Sequence, residues 1–451
     1  MHHHYSTKYR EINLPIRYTD KPVTAWGGLK LMARWFEKIE LRGLFAEHLQ
    51  AVRGGSNRAY DPVEVVLSFV VSVLMGAWRL CHTQMLRYDE PMKCLFGFDD
   101  VPSASTFSRF FGRFTRRVVE ESLGGLSRAL MERMRPFYPA CGVTVDLDSS
   151  VFERYGEQEG ALRGYNPRKP GRPSHHPLFA MIAEWKWVHH LWLRRGDTVS
   201  GSGAVSFLQE VVGRLPVWVE IRLVRADSGF FWGSILDELE RQKLQYIVVA
   251  RMNPQVRSQI GRISHWIPIA RGVELGEMTY KAADWKAGRR MVVVRQSLKE
   301  RPDAQGRLFP DLPGYRYRAV VTNTALNARE VWNLHRGRSD TENRIKELRT
   351  DFFMDSFSLK KFHATEAALW LVAVAYNLAS WFKLAILKDH SPRLMTLRLR
   401  LFLCGAILGT DRGQTVLRLS ASNKLRATFD KLLHRIDQWS NSNAMHSEVT
   451  P

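Results

Sequence analysis

The chain has 451 residues, of which 45% are hydrophobic and 25% charged, so it has room for about three domains and is neither disordered nor fibrous. Lys and Arg exceed Asp and Glu by 66 to 45, a net charge of +21, which is more than solubility needs and implies a polyanionic partner, nucleic acid first. Its cysteines, Cys81, Cys94, Cys141 and Cys404, stand far apart with no CxxC; this excludes a cysteine zinc site or a disulfide scaffold and fits a cytoplasmic protein.

The N-terminal MHHHYSTKYREINL has no apolar signal region, and its histidines are left out of the fold reasoning. From about 24 to 140, apolar residues recur at three- and four-residue spacing and call for helices without a strand. Pro102–Thr106 offers a helix start, and the helix expected after it presents Arg109, Arg113, Arg116 and Arg117. Such a basic helix suits a helix-turn-helix-like DNA-binding module, the alternative being a solvated face of a bundle. A helical DNA-binding domain over 1–139 follows.

After Pro139 the period changes to that of a strand. Val143, Val145 and Leu147 alternate with Thr144, Asp146 and Asp148, giving one apolar and one acidic face. Two carboxylates on one face repel each other unless a cation joins them, or unless the strand is a solvated edge. The basic, Gly/Pro-rich segment 163–173 reads as a loop, in which Arg163, Arg168, Lys169 and Arg172 are suited to phosphates and Tyr165 to a base. His175–His176 and His189–His190 match no zinc spacing and read as structural.

Residues 178–193 read as a strand pair, 203–215 as a helix, and 217–226 as a strand ending at Asp227-Ser-Gly229 before a further helix. A carboxylate at the C-terminal end of a core strand is where α/β enzymes carry active-site groups. Another strand, 246–251, precedes a β-rich insertion over 252–325 that contains a polar loop, 299–314. The remainder to 438 reads as helical, with a frayed tail over 439–451. The apolar run 367–382 is interrupted by Asn377 and Ser380, falls short of a membrane span and reads as a buried helix.

Within HRGRSDTENRIKELR, helical geometry sets His335, Arg338, Glu342, Ile345 and Arg349 within an arc of about 80° on one face of one helix. A second reading makes Ser339–Glu342 a capping box with Gly337 ending a previous helix, and a kink at Gly337 would turn His335 away from the acids. Asp146 or Asp148, Asp227 and Glu342 together supply the hard oxygens that Mg²⁺ requires for phosphodiester chemistry, while Arg338, Arg349 and a protonated His335 are suited to hold the neighbouring phosphate.

The order VDLDSS, RADSGFF, β-rich insertion and R-x3-E-x6-R resembles the DDE transposases of bacterial insertion sequences, and GYNPRKPGRPSHHP with ENRIKELR resembles their group-1 branch over nearly the whole chain. The resemblance implies an α/β fold, a ribonuclease-H-like mixed-sheet core (140–251 and 326–390) interrupted by the β insertion and followed by C-terminal helices (391–438). It also implies cleavage and strand transfer at terminal inverted repeats of double-stranded DNA, with Mg²⁺ that Mn²⁺ can replace, in a homodimeric synaptic complex. The branch's Tyr-x2-Arg-x3-Glu-x6-Lys pattern is met by Arg338 and Glu342, with His335 for Tyr and Arg349 for Lys. Asp148-Ser-Ser150 matches the branch's first acid, so Asp148 is preferred to Asp146. A nuclease without strand transfer and a non-catalytic DNA-binding regulator are the other classes.

Overall fold

In the computed structural model, which describes residues 16–55, 59–166, 169–198, 201–298 and 314–439, the first region folds into α1 (Lys30–Lys38), α2 (Leu41–His48), α3 (Pro62–Met75), α4 (Gln84–Arg87), α5 (Glu90–Phe96), α6 (Ala104–Phe111), α7 (Arg116–Val118) and α8 (Gly125–Arg133). α3 shows why helices form here. The Asp61 carboxylate accepts from the Val63 N–H, Pro62 opens the first turn, and Gly76 ends the helix at φ 107°. Its apolar residues run all round, so it is buried on every side.

The continuous basic helix expected at 104–117 is not formed. α6 stops at Phe111, Arg113 lies in the turn beyond and donates to the Val52 carbonyl at 3.1 Å. Thr115 caps α7, whose Arg116 and Arg117 pair with Glu120 and Glu121 at 2.9 and 2.7 Å. Local capping and local carboxylates thus outcompete helix continuation.

Nine of the strands among the described residues build one sheet. Its members are β2 (Val143–Ser149), β6 (Leu178–Ile182), β7 (Trp187–Trp192), β8 (Ile221–Ala226), β9 (Tyr246–Val249), β10 (Ile267–Ala270), β11 (Val273–Tyr280), β12 (Arg289–Ser297) and β13 (Tyr315–Thr322). Their order is β10-β11-β12-β13-β9-β8-β2-β6-β7, with β2, β8 and β9 mutually parallel neighbours and the other pairs antiparallel. The 252–325 segment therefore extends the same sheet instead of forming a separate one, and it also holds a helix, α11 (Pro254–Ile260); residues 299–313 of its loop lie outside the described residues. α9 (Ala204–Gly213) and α10 (Gly233–Arg241) connect the central strands.

Register decides which face each acid takes. Thr144 pairs with Leu223 and Asp146 with Arg225 across β2 and β8. That face continues through Ile247, Val292, Val294 and Val320 and is covered by Val331 and Trp332 of α12 (Ala328–Arg336). β2 is thus a central strand buried on both faces, not a solvated edge.

Helix α13 (Ser339–Thr350) follows α12 after a break, and α14 (Phe362–Phe382) is the core helix expected from the apolar run. With its continuation to Leu387 it has 26 residues, long and apolar enough to cross a membrane, yet 89% of that apolar window is buried inside the protein. Asn377, one of the two interruptions, uses its amide to bond both Val188 N and Val188 O on the edge strand β7 at 2.8 and 2.9 Å. A polar interruption thus seals a sheet edge.

Two further departures concern strands. The ends of the 163–173 segment enter a small sheet of β3 (Phe152–Glu153), β5 (Pro173–His175) and β4 (Leu162–Arg163). The C-terminal region is not wholly helical: besides α15 (Leu394–Leu397) and α16 (Asn423–Gln438) it holds a hairpin, β14 (Ala406–Asp411) and β15 (Gln414–Leu419), and β14 pairs with β1 (Val23–Thr24). Arg412 and Gly413 at φ 47° and 80° make the two-residue turn that matches strand twist. The tail from 440 onward lies outside the described residues.

Candidate active site

β2, β8 and the break between α12 and α13 bring four acids and two arginines to one place. Asp146 is fully buried, and its two oxygens take the Arg225 guanidinium at 2.6 and 2.7 Å (Nε to Oδ1, Nη2 to Oδ2). The Thr341 hydroxyl also donates to it. Arg225 Nη1 reaches on to the Leu334 carbonyl at 2.7 Å, so this pair ties β2 and β8 to both helices. Gly337 stands where that guanidinium passes: a Cβ there would lie 2.6 Å from Arg225 Nη1.

Asp148, two residues on, shares the face but not the partner. Its Oδ1 accepts from the Ser149 N–H at 2.8 Å and its Oδ2 lies 3.0 Å from Arg338 Nη2. Asp227 is one step past the last β2–β8 pair, Leu147 with Ala226, which sets it beside Asp148; its Oδ1 accepts from the Gly229 N–H at 2.9 Å. Burial pushes the Asp148 carboxyl well above the ordinary carboxylate range; Arg338 opposes this, and the charges of Asp227 and Glu342 add to it. Asp227 is raised for the same first reason, again opposed by Arg338.

Arg338, buried at the helix break, is the hub. Besides Asp148 it holds Glu342 Oε1 at 2.8 Å through Nη1. Burial works against its charge, but Asp148, Asp227, Glu342 and Asp146 outweigh burial and hold the guanidinium protonated. Glu342, by contrast, is 62% exposed. The Ser339–Glu342 capping box is not formed, since α13 has no side-chain cap; Asn327 and Glu330 make a real one at the start of α12.

Asp148, buried, and Asp227, half-buried, are both kept short of charge chiefly by desolvation, and such a pair is suited to a hard divalent cation. Among the described residues, however, no three His, Cys, Asp or Glu side chains stand close enough to share one. Asp148 and Asp227 stand side by side, whereas Glu342 is held by Arg338.

Arg349 sits at the far end of α13, 3.0 Å from Asp355. It lines an open cleft of about 710 Å³ together with Asp227, Tyr165, Trp232 and Arg251. Arg251, which sequence reasoning missed, donates to the Ser228 carbonyl at 2.8 Å and lies 4.3 Å over the Trp232 ring, fixing the turn after Asp227. In the basic segment, Arg163 and Tyr165 are exposed, Lys169 bonds Glu153 and Tyr155 at 2.9 Å, Arg172 lies 4.7 Å over the Tyr155 ring, and Arg168 lies outside the described residues. Arg109 and Arg113 are in the helical region and touch none of these carboxylates. Arg225 was legible in principle: in VRADS it precedes Asp227 by two and so shares its face.

His335 departs from expectation. The single helix is broken, with α12 ending at Arg336 and α13 starting at Ser339. The ring lies 5.2 Å from Trp332, and burial, then the cations Arg338, Arg225 and Arg318, push its pKa down to about 4. A protonated clamp fading near the ordinary imidazole value is therefore replaced by a neutral ring. His335→Gln should show the same cleavage-rate profile as wild type between about pH 6 and 8, with no added step; a step present only in wild type would contradict this. The buried histidines act on stability too. His335 and His175 are held at about 4 and His189 at about 3, chiefly by burial, so the unfolded chain takes up their protons first. Their contribution is present above about pH 6.5 and is lost as pH falls toward 4, which denaturant titrations across that window would register.

The sequence profile of the family described as "Transposase DDE domain group 1" matches residues 7–441. No curated protein is found similar in sequence. Among solved structures, the cryo-EM structure of a piggyBac transposase synaptic complex with hairpin DNA is similar at TM-score 0.40 and 12% identity, over 96% of this chain and 89% of that one. With the profile spanning nearly its whole length, the chain belongs to the group 1 family of DDE-domain transposases.

Proposed function

We propose that the chain cleaves DNA at the terminal inverted repeats of a bacterial insertion sequence and joins the freed ends to a target, on a ribonuclease-H-like core, with Asp148, Asp227 and Glu342 as the ligands of Mg²⁺ or Mn²⁺. The observation that carries this is the pairing of buried Asp148 with half-buried Asp227 at the ends of neighbouring parallel strands, with Glu342 nearby on α13, held by Arg338. Asp146 is left out because Arg225 and Thr341 already occupy it. When bound, the ion supplies activation of the attacking oxygen and neutralisation of the leaving one.

The chain's own residues divide the remaining work. Arg338 holds Glu342 and Asp148 in the resting site; once Glu342 turns to the aspartates, the guanidinium is free to grip a phosphate. Arg349 orients DNA along the cleft, Arg163, Arg168, Lys169 and Arg172 contact backbone phosphates, and Tyr165 stacks on a base. The helical region 1–139, with Arg109 and Arg113, binds element ends, 252–325 is the insertion, and two copies act in the synaptic complex in the cytoplasm. Incubating purified protein with labelled terminal-repeat DNA, target plasmid and Mg²⁺ should give both cleaved ends and joined products. Cleavage without joining would make it a nuclease, and binding without cleavage a regulator.

A further inference from the structure

Beyond the carboxylates, the same face of the sheet carries a second charged feature. Arg316 and Arg318 of β13 and Arg329 and Arg336 of α12 line an open cleft of about 470 Å³, with Val294 and Trp332 in its wall. The four share one opening because Arg318 and Arg316 are opposite Val294 and Gln296 on the α12-covered side, while Arg329 and Arg336 are seven residues apart on one helix face. All four are exposed. Among the described residues, no acidic side chain lines the cleft.

The contrast with neighbouring arginines is sharp. On β12, Arg289 pairs with Asp237 and Glu240, Arg290 with Glu277, and Arg295 with Glu274. The described residues offer the cleft arginines no such carboxylate partners. Four like charges gathered without counter-charge repel one another, an arrangement that an external polyanion relieves.

We infer that this cleft is a DNA-backbone site, separate from the carboxylate centre, that grips the duplex where it passes over α12 beside the catalytic break. The inference rests on the transposase reading for its partner but not on cleavage. Three features set its scale and position. Arg329 to Arg336 spans about 10 Å of helix axis, over which a duplex presents about six phosphates, enough for four planar guanidinium forks to engage. Arg336, in the cleft wall, is the last residue of α12 and stands two positions before Arg338, so the cleft lies beside the helix break. Phosphate contacts carry no sequence, so the cleft holds any duplex in register without choosing it.

The test is binding, read as the slope of log K against log salt by fluorescence anisotropy, in an Asp227→Asn background so that no DNA is cut. Terminal-repeat and random-sequence duplexes are both used. Replacing Arg316, Arg318, Arg329 and Arg336 together by Ala should flatten the slope by about two to four on both duplexes, at about 0.9 for each phosphate no longer neutralised. The same four changed to Lys should keep most of the slope. A control removing four exposed charges elsewhere, Lys21, Arg400, Lys424 and Lys431, should change it by less than about one. An unchanged slope in the alanine variant, or an equal loss in the control, overturns the inference. If cleavage by the wild type is never seen but the slopes behave as stated, the transposase chemistry fails while this site stands.

Discussion

Asp227→Asn is expected to lower Mg²⁺-dependent cleavage of terminal-repeat DNA by about a thousandfold or more, several kcal/mol of transition-state stabilisation, while leaving end binding largely intact. The substitution is close to a pure charge test. Asn keeps the Oδ1 that accepts from the Gly229 N–H at 2.9 Å, so the turn after β8 and the Arg251–Ser228 bond that braces it are retained. What disappears is one of two charges that burial and mutual repulsion make receptive to a cation. In the proposed reading end binding rests on arginines and lysines elsewhere, so a gel-shift assay should register little change. Cleavage within about tenfold of wild type, a loss of only some 1.4 kcal/mol, would remove Asp227 from the chemistry.

The second large effect is on folding. Arg225→Ala should destabilise the protein by about 3–5 kcal/mol, because it leaves a buried, uncompensated carboxylate. Asp146 is fully buried and receives two of its three hydrogen bonds, and its counter-charge, from that guanidinium, the third coming from Thr341; the Leu334 carbonyl would lose its donor as well. Arg225→Ala combined with Asp146→Ala should recover part of the loss, since the pair's charges are then removed together. Denaturant unfolding of the two variants beside wild type measures this. A loss below about 1 kcal/mol for the single variant would mean that Asp146 finds water or another partner, contrary to its burial.

Much of the strand and acid placement at the candidate site could be read from residue order, and the reasons for the failures are local. The alternation through Val143–Asp148 gave the strand and its acidic face, and the Asp227-Ser-Gly229 break gave the end of β8. Which of Asp146 and Asp148 is taken by the Arg225 fork depended on register, because Asp146 is the one that pairs with Arg225 across β2 and β8. A helical wheel assumes an unbroken helix, so it put His335 beside Glu342; the break after Arg336 turns on Arg225 passing Gly337, a contact between distant segments. The alternative capping box at Ser339 is not formed, while Asn327 and Glu330 form one twelve positions upstream, because an S-x-x-E pattern costs nothing to match. The hairpin at 406–419 did carry a signal, alternation around Arg412-Gly413, but a region dense in Leu and Arg reads equally well as helix.

In the proposed site Asp148 and Asp227 hold the divalent cation while Arg338 keeps Glu342 in reserve. Titration of Mn²⁺ into DNA-free protein, followed by the loss of the free-ion paramagnetic resonance signal, tests this without relying on catalysis. Saturable binding is expected for wild type, with its loss in Asp148→Asn and in Asp227→Asn, and binding at least as tight in Arg338→Ala, where Glu342 is released. Equal binding by wild type and both asparagine variants would contradict it.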